Sequence, residues 1–188
     1  MSHPHYFIGI PIGEQLKRTL ADLQNTVQQE VEYKTWTHEE DFHVTLAFLG
    51  SVSEERMESL QNALRRCTDL QAFTVNVEGI GTFGHPAKPR VMWAGVERNQ
   101  PLVELQQHIS DVTEEQGFTK DKRPYKPHIT LAKKWNSSAA LSTQIEQMAP
   151  SSIGQLVVNT FCIFKIHPQN SPKYEIIETV TLKGEGEK

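Results

Sequence analysis

Residues 43–46 read His43-Val44-Thr45-Leu46, and residues 128–131 read His128-Ile129-Thr130-Leu131. On a β-strand, the side chains of residues i and i+2 point to the same face. Each segment, if extended, therefore presents an imidazole and a hydroxyl on one face and two apolar side chains on the other. A helix would not place residues i and i+2 side by side. The pattern thus predicts two strands, each with a buried underside.

The recurrence of this motif is the strongest signal in the chain. With 8 histidines among 188 residues, a His followed by an apolar residue, Thr and Leu is expected on the order of 0.01 times by composition. Two copies therefore indicate a shared role. In each half the motif leads towards a helix that a serine can cap, Ser53 or Ser137. This succession predicts an α+β fold of two pseudo-equivalent lobes.

Apolar periodicity predicts the elements that flank the motifs. Helices are expected to begin near Glu14, Ser53, Pro101 and Ser137. Extended segments are expected at residues 6–10, 33–37, 42–49, 73–77, 91–96, 128–132, 154–164 and 173–181. The Gly- and Pro-rich stretch between residues 77 and 91 predicts a loop. We expect residues 1–183 to form one two-lobed domain and residues 184–188 to be a frayed tail.

Composition limits the classes of function. The net charge is −4 and the isoelectric point is about 6.1, whereas proteins that grip nucleic acid along their length are usually basic. Any contact with RNA should therefore be short and local. The two cysteines do not form a C-x-x-C pair, which argues against a zinc ribbon and for buried thiols in a reducing compartment. With neither a signal-peptide pattern nor an apolar run of about 18 residues, we expect a cytoplasmic protein that does not enter a membrane.

Two histidines suit the hydrolysis of a phosphodiester. The reaction needs a base that deprotonates water and an acid that protonates the leaving oxygen on the opposite side of phosphorus. Because the ordinary pKa of imidazole is near 6.5, a neutral and a protonated copy can coexist near neutral pH. Thr45 and Thr130 can donate hydrogen bonds to the phosphate oxygens. This scheme requires no metal and no cofactor.

Positive charge is concentrated beside the second motif. Between residues 120 and 134 only Asp121 is acidic, and six residues are basic: Lys120, Lys122, Arg123, Lys126, Lys133 and Lys134. Such a cluster attracts a phosphate and stabilises charge that develops on it. Three further side chains are candidate substrate contacts: Arg123, Tyr125 and Phe48. Tyr125 is the aromatic ring most expected to be exposed, whereas Phe48 shares a face with Thr45 only if its strand is bent.

Four segments occur in an order that resembles a known family: YFIGIP at 6–11, FHVTLAFLG at 42–50, PRVMWAGV at 89–96 and PHITLAK at 127–133. They resemble the RNA 2′,3′-cyclic phosphodiesterases, also called 2′-5′ RNA ligases, of the two-histidine (2H) phosphoesterase superfamily. The resemblance covers nearly the whole chain. It implies a bilobal fold, with two pseudo-symmetric lobes of antiparallel sheet, helices outside and a central cleft.

The resemblance also implies an activity and the roles of residues. RNA ends that carry a 2′,3′-cyclic phosphate would be hydrolysed to 2′-phosphomonoesters, with His43 as proton donor and His128 as proton acceptor. Thr45, Thr130 and Lys133 would bind the phosphate. The chain departs from the family in having Lys133 where Arg is common, and lysine lacks the bidentate fork of arginine. It also lacks the Pro that often lies between Trp36 and the first motif.

Alternatives remain open at the level of sequence. The same cleft could act on small cyclic nucleotides or 2′-5′ linked oligonucleotides, or it could bind RNA ends without catalysis. A metallohydrolase with His38, Asp41 and His43 as ligands is disfavoured, because the ligand spacing is irregular. Ligation could only be a reversal of the phosphodiester chemistry, since no P-loop is present. We expect a monomer whose partner is the 3′ end of RNA.

Overall fold

The computed structural model describes residues 3–67, 69–141 and 145–184. Nine strands are present in this part of the chain: β1 (His5–Pro11), β2 (Tyr33–Trp36), β3 (His43–Ser51), β4 (Phe73–His85), β5 (Lys88–Val96), β6 (His128–Trp135), β7 (Gly154–Val158), β8 (Thr160–Ile166) and β9 (Tyr174–Thr181). The helices are α1 (Glu14–Val27), α2 (Glu54–Leu64), α3 (Gln100–Glu115) and the short α4 (Ile145–Met148), with a 3₁₀ turn at Glu39–Asp41.

The strands form one antiparallel sheet with the order β7-β4-β5-β6-β3-β1-β8-β9, and β2 also pairs with β6. The two motif strands, β3 and β6, are therefore neighbours at the centre of the sheet, although they are far apart along the chain. Strands β3, β1, β8 and β9 lie on one side of this junction, and β6, β5, β4 and β7 lie on the other. The predicted α+β fold with two related halves is confirmed.

One hydrophobic core joins the helices to the inner face of the sheet. It contains Leu20 of α1, Leu60 of α2 and Leu105 of α3, together with Val44 and Ile129 from the motifs. Phe7, Cys162 and Phe164 form a separate small cluster. The helices thus cover the face onto which the apolar motif residues point, and the opposite face is left for the polar ones.

Helix α1 is bonded directly to the second motif strand. The buried Gln24 donates its side-chain amide to the carbonyls of Thr37 and Leu131, at 2.9 Å each. The amide of Thr37 also donates to the carbonyl of Leu131 at 2.9 Å. These bonds hold β6 against the helix and so fix the position of its motif.

The prediction of a loop between residues 77 and 91 is wrong. This stretch forms a long hairpin in which β4 runs to His85 and β5 starts at Lys88. Gly79 has φ +66° and Gly84 has φ +107°, and the register shifts beside both of them. Each glycine therefore accommodates a bulge within a continuing strand. Gly79 and Gly84, which the sequence pattern assigned to a loop, thus occupy β-bulges in the structure.

Two further boundaries differ from the prediction. Residues 154–164 form two strands, because the chain pairs with β4 up to Val158 and with β1 from Cys162 onward. Ser137 does not cap a helix: its hydroxyl accepts from the amide of Ala139, and the amide of Leu141 bonds to the carbonyl of Ala87. The middle of that predicted helix, residues 142–144, lies outside the described residues, as does the predicted tail beyond Gly184.

Both cysteines, Cys67 and Cys162, are buried free thiols, as predicted. Among the helices of the described residues, none is long and apolar enough to cross a membrane.

Candidate functional site

The four polar motif side chains lie on one face of the sheet. Val44, Leu46, Ile129 and Leu131 are buried, whereas His43, Thr45, His128 and Thr130 are partly exposed. Strands β3 and β6 pair antiparallel, with Val44 opposite Ile129. Because side chains alternate along each strand, the residues that flank Val44 and those that flank Ile129 all point to the opposite face of the sheet. The pairing thus gathers two imidazoles and two hydroxyls at the centre of the open face.

A backbone carbonyl orients the ring of His43. Its Nδ1–H donates to the carbonyl oxygen of Asp41 at 2.7 Å. In the neutral ring this fixes the proton on Nδ1 and leaves Nε2 unprotonated, where it can accept the hydroxyl of Thr45. Nε2 lies 3.1 Å from the hydroxyl oxygen of Thr45, so it faces its own motif partner and the shared site.

The same arrangement recurs at His128. Its Nδ1–H donates to the carbonyl oxygen of Lys126 at 2.7 Å, again two residues before the histidine. Nε2 is therefore the nitrogen available for proton transfer in both rings. The two halves of the sheet supply matched proton carriers, each fixed in one tautomer by its own backbone.

The environment favours the neutral form of both imidazoles. Burial is the main reason that the pKa of His43 falls to about 4, and the charges of Lys133 and His128 lower it further, against the opposing effect of the Asp41 carbonyl. Burial also lowers the pKa of His128, with Lys133 and Lys126 adding to the effect. The charge of Lys133 thus acts on both rings, and it would act in the same way on a phosphate bound between them.

Asp41 anchors the surroundings of His43. Its buried carboxylate accepts the backbone N–H of Lys173 through both oxygens at 2.9 Å, and that of Tyr174 at 3.0 Å. The same residue thus orients His43 through its carbonyl and holds the start of β9 through its side chain. The sequence interpretation weighed Asp41 only as a metal ligand, and nothing local could have revealed this contact with residues near the end of the chain.

Aromatic rings surround His43. The ring of Phe7 lies 4.4 Å from the imidazole, centroid to centroid, Phe164 lies at 5.7 Å, and Tyr174 presents its edge at 5.2 Å. These rings come from β1, β8 and β9, the strands of the same half of the sheet. They remove water from around the imidazole, which accounts for its lowered pKa.

His128 has a corresponding aromatic wall in the other half. Phe83 meets it edge-on at 4.9 Å, and Trp93 lies at 6.1 Å. The ammonium of Lys126 stands over the Trp93 ring, 4.5 Å from its centroid. Gly81 lies opposite Trp93 in the register of β4 and β5, and a Cβ atom there would overlap the indole. The glycine therefore makes room for this wall.

Phe48 is the exposed aromatic ring at the site. It is 62% exposed, and its centroid is 6.1 Å from that of Phe7, the ring that contacts His43. The register between β1 and β3 shifts between Ile8 and Gly9. This shift supplies the bend that the sequence required for Phe48 to share a face with Thr45.

Two other candidates take different positions. Tyr125, expected to be the more exposed ring, is half-buried and donates its hydroxyl to the carbonyl of Thr45 at 3.3 Å, so its ring supports the first motif strand. Arg123 is exposed, and its guanidinium is bonded to Asp121. Among the described residues, no hydrogen bond or ring contact joins Arg123 to either histidine.

The basic cluster of residues 120–134 divides into two parts. Lys120 pairs with Asp111 at 2.8 Å, and Arg123 pairs with Asp121 at 2.6 Å, so these two charges are largely compensated. Lys126 and Lys133 lie beside the histidines. Burial is the main cause that lowers the pKa of Lys133, followed by the charge of the neighbouring Lys173. Lys173 is thus a further cation of the site, which the sequence did not single out.

The described part of the chain holds no cluster of three or more His, Cys, Asp or Glu side chains placed to bind a metal ion. The three residues considered as ligands have other partners. His38 accepts the amide of Glu40 through Nδ1, while Asp41 and His43 make the bonds described above. These residues do not fit the metal site that was weighed from the sequence.

Comparison with known proteins gives a consistent result. Residues 4–182 match the family model described as the AKAP7 2′5′ RNA ligase-like domain. The RNA 2′,3′-cyclic phosphodiesterase of Bacillus subtilis strain 168 is 33% identical over 93% of this chain and 94% of its own length. The protein of the same name from Geobacillus stearothermophilus is 33% identical over 98% of this chain, which spans only 59% of that relative's length.

Solved structures share the fold. Escherichia coli LigT complexed with 3′-AMP superimposes with a TM-score of 0.78 at 20% identity, covering 95% of this chain and 98% of that one. TT0787 of Thermus thermophilus gives a TM-score of 0.79 at 23% identity, covering 96% and 99%. At these identities the likeness is one of architecture.

Proposed function

The chain belongs to the 2′5′ RNA ligase-like family of the 2H phosphoesterases, and on that premise we propose that it hydrolyses the 2′,3′-cyclic phosphate at RNA 3′ ends to a 2′-phosphomonoester. The expected class of enzyme, a phosphodiesterase, is confirmed by the name that its curated relatives carry. The observation that supports the reaction most is the pairing of Val44 with Ile129, which brings two imidazoles, each with an unprotonated Nε2, onto one face.

The proposed step is an in-line displacement at phosphorus. Nε2 of His128 accepts a proton from water as the oxygen of that water bonds to phosphorus. The bond from phosphorus to the 3′ oxygen breaks, and Nε2–H of protonated His43 gives its proton to the departing oxygen. The product carries a 2′-phosphate and a 3′-hydroxyl, and the two rings have exchanged protonation states. The assignment of donor and acceptor follows the family resemblance, since the two rings have matched hydrogen bonds.

Substrate binding favours the protonated form of His43, the proposed acid. In the free protein burial keeps both rings neutral, with the pKa of His43 at about 4. A bound phosphodiester carries a negative charge between the rings, and an opposite charge a few ångströms away favours the imidazolium. Proton uptake by His43 is thus coupled to substrate binding. The ammonium of Lys133 and the hydroxyls of Thr45 and Thr130 then hold the non-bridging oxygens.

Phe48 is the proposed stacking surface for a base of the RNA. Its ring is exposed and adjoins Phe7, which contacts His43. Stacking of a base on an aromatic side chain contributes about 1–3 kcal/mol. Phe48→Ala should therefore raise KM about fivefold or more, whereas Phe48→Tyr should keep the affinity.

Both motifs come from the same sheet of one chain, so we propose that a single chain is the active unit.

The test uses an oligoribonucleotide with a 2′,3′-cyclic phosphate, incubated with the protein in excess EDTA. Phosphorus NMR should show conversion to a 2′-phosphomonoester, because the two imidazoles carry both proton transfers. Tight binding without turnover would instead identify a non-catalytic RNA-end binder. A 3′-phosphomonoester product, or loss of turnover in EDTA that added Mg²⁺ restores, would contradict the proposed mechanism.

A further inference from the structure

A surface groove of about 850 Å³ lies between the start of β5 and the end of β6. Four of its lining side chains are cationic, namely Lys88, Arg90, Lys133 and Lys134, and the rest of the lining is Val91, Trp135, Asn136, Ser137 and Ser138. Among the described residues, the lining includes no carboxylate, although the chain as a whole carries a net charge of −4. The groove therefore concentrates positive charge on an acidic protein.

Within the described residues, none of these four cations forms a salt bridge. Across residues 3–67, 69–141 and 145–184, basic side chains such as Arg65, Lys120 and Arg123 form ion pairs, whereas none of the four does so. Lys88, Arg90 and Lys134 are exposed. An exposed cation without a carboxylate partner keeps its full charge for a ligand, so the groove is suited to bind several anionic groups at once.

The backbone at Lys134 brings two adjacent lysines to the same groove. Along a regular strand, neighbouring side chains point to opposite faces. Lys134 has φ +66°, a left-handed conformation that non-glycine residues rarely adopt. This departure interrupts the alternation, and Lys133 and Lys134 both line the groove.

The far wall of the groove is fixed by hydrogen bonds. The indole Nε1–H of Trp135 donates to the carbonyl of Ser137 at 2.9 Å. The amide of Leu141 donates to the carbonyl of Ala87 in the turn between β4 and β5 at 2.7 Å. Residues 135–141 are thus tied back to the hairpin that carries Lys88 and Arg90, and the groove has a shape of its own.

Lys133 connects the groove to the catalytic pair. It lines the groove, and the register of β5 with β6 shifts between Met92 and Trp93, which turns the side chain of Lys133 to the face that carries Thr130 and His128. A chain of phosphates that begins between the histidines can therefore continue past Lys133 onto the other three cations. Phosphates spaced along a flexible single strand fit such a path, whereas a small cyclic nucleotide with one phosphate ends before it.

We infer that this groove binds the backbone phosphates of single-stranded RNA on the 5′ side of the reacting end, and that it makes the enzyme prefer oligonucleotides to mononucleotides. The inference rests on the proposed function, because it takes the reacting phosphate to lie between His43 and His128. It assigns a role to Lys88, Arg90 and Lys134 outside the proton-transfer site. It also selects, among the possible substrates, an RNA chain rather than a small cyclic nucleotide.

The test compares kcat/KM on a 2′,3′-cyclic mononucleotide and on cyclic-phosphate-ended oligomers of increasing length. For the unaltered protein kcat/KM should rise with length. In the triple variant Lys88→Gln, Arg90→Gln, Lys134→Gly, kcat/KM on the longest oligomer should be about tenfold or more below that of the unaltered protein. On the mononucleotide, kcat/KM should stay within about twofold of the unaltered value. Gly at 134 keeps the left-handed backbone without strain. The rate of the triple variant should also depend less steeply on salt, since fewer counterions are released.

The matched control is Arg18→Gln with Arg66→Gln and Arg98→Gln, which also removes three exposed positive charges, all of them outside the groove lining. The inference is overturned if the control loses as much as the triple variant, if the triple variant loses equally on all lengths, or if the unaltered protein shows no length dependence. If no substrate is hydrolysed, the proposed function fails instead. Fluorescence anisotropy with a labelled 3′-hydroxyl oligoribonucleotide then still tests whether the groove binds RNA. Weaker binding by the triple variant than by the control supports RNA binding in the groove, and equal binding overturns it.

Discussion

Val44 in β3 and Ile129 in β6 are antiparallel partners, and both are fully buried. In the part of the chain that the structure describes, this is the one residue pair at which the backbones of β3 and β6 are paired. Because each is the second residue of its motif, the polar residues on either side emerge together on the other face. The contact that joins the halves of the sheet is thus also the contact that assembles the proposed catalytic residues.

Each histidine should be needed for turnover. We expect His43→Ala and His128→Ala to lower kcat by about 10²–10⁴-fold, the usual contribution of a general acid or base. The double variant should be little worse than either single one, because the two rings act in the same step. Steady-state rates on a cyclic-phosphate-ended oligomer measure this. His108→Ala, on the exposed side of α3, is the control, and a variant of either motif histidine that kept most of its rate would contradict the assignment.

The motif threonines should contribute less than the histidines. Thr45→Val and Thr130→Val keep the shape of the side chain but remove a hydroxyl that would bond to a charged oxygen. We expect each to cost about 1–3 kcal/mol, or about 5- to 150-fold in kcat/KM. Thr→Ser at the same positions keeps the hydroxyl and should retain most activity. Equal losses in the Val and Ser variants would indicate packing rather than hydrogen bonding.

The pH dependence should differ between kcat/KM and kcat. The free-enzyme pKa of His43 is about 4 and that of His128 lies below its ordinary value. The alkaline limb of the kcat/KM profile, where the acid loses its proton, is therefore expected below pH 6.5. The alkaline limb of the kcat profile is expected at higher pH, because the bound phosphate favours the imidazolium. Full pH–rate profiles measure both limbs. A common limb for the two parameters would contradict this coupling.

Lys133 offers an independent check of the same profile. Its charge lowers the pKa of both rings, so Lys133→Met should move the alkaline limb of kcat/KM upward in pH as well as raise KM. Lys133→Arg keeps the charge and should leave the limb in place. An upward move in the Arg variant would show that charge is not the cause.

Asp41 should stabilise the fold and position His43. Asp41→Asn leaves one oxygen to accept the amides of Lys173 and Tyr174, and buries an NH₂ group against those donors. We expect the free energy of unfolding to fall by about 1–3 kcal/mol. We also expect a lower kcat, because strain at the altered side chain shifts the backbone carbonyl of residue 41 that orients His43. Chemical denaturation and steady-state kinetics measure the two effects.

The exposed Asp111 provides the control for Asp41. It makes one ion pair at the surface, with Lys120, so Asp111→Asn should change stability by no more than about 1 kcal/mol. If Asp41→Asn had no larger effect than this control on either stability or kcat, the positioning role would be wrong.

Gly81 should be intolerant of a side chain because of Trp93. A Cβ atom at residue 81 would overlap the indole, so Gly81→Ala should destabilise the protein by about 1–3 kcal/mol and lower activity through displacement of the ring near His128. Adding Trp93→Leu vacates the space, and the double variant should recover stability relative to Gly81→Ala. Thermal unfolding of the three variants measures this, and strictly additive losses would contradict the steric explanation.

The sequence by itself determined the local geometry of the site. Steric alternation along an extended chain depends only on neighbouring residues, so His43 with Thr45, and Val44 with Leu46, could be assigned to opposite faces before the structure was known. The recurrence at His128 and the order of the flanking segments likewise predicted the α+β halves and the family, which the structure and the relatives confirm.

Only the tertiary structure decided how these pieces meet. The register of Val44 with Ile129, the anchoring of β9 by Asp41, the bulge that exposes Phe48 and the hairpin at residues 78–90 all depend on partners distant in sequence. The lowered pKa of His43 likewise results from rings brought by other strands. Side-chain alternation is a property of the chain, whereas strand pairing and the exclusion of water are properties of the assembled sheet.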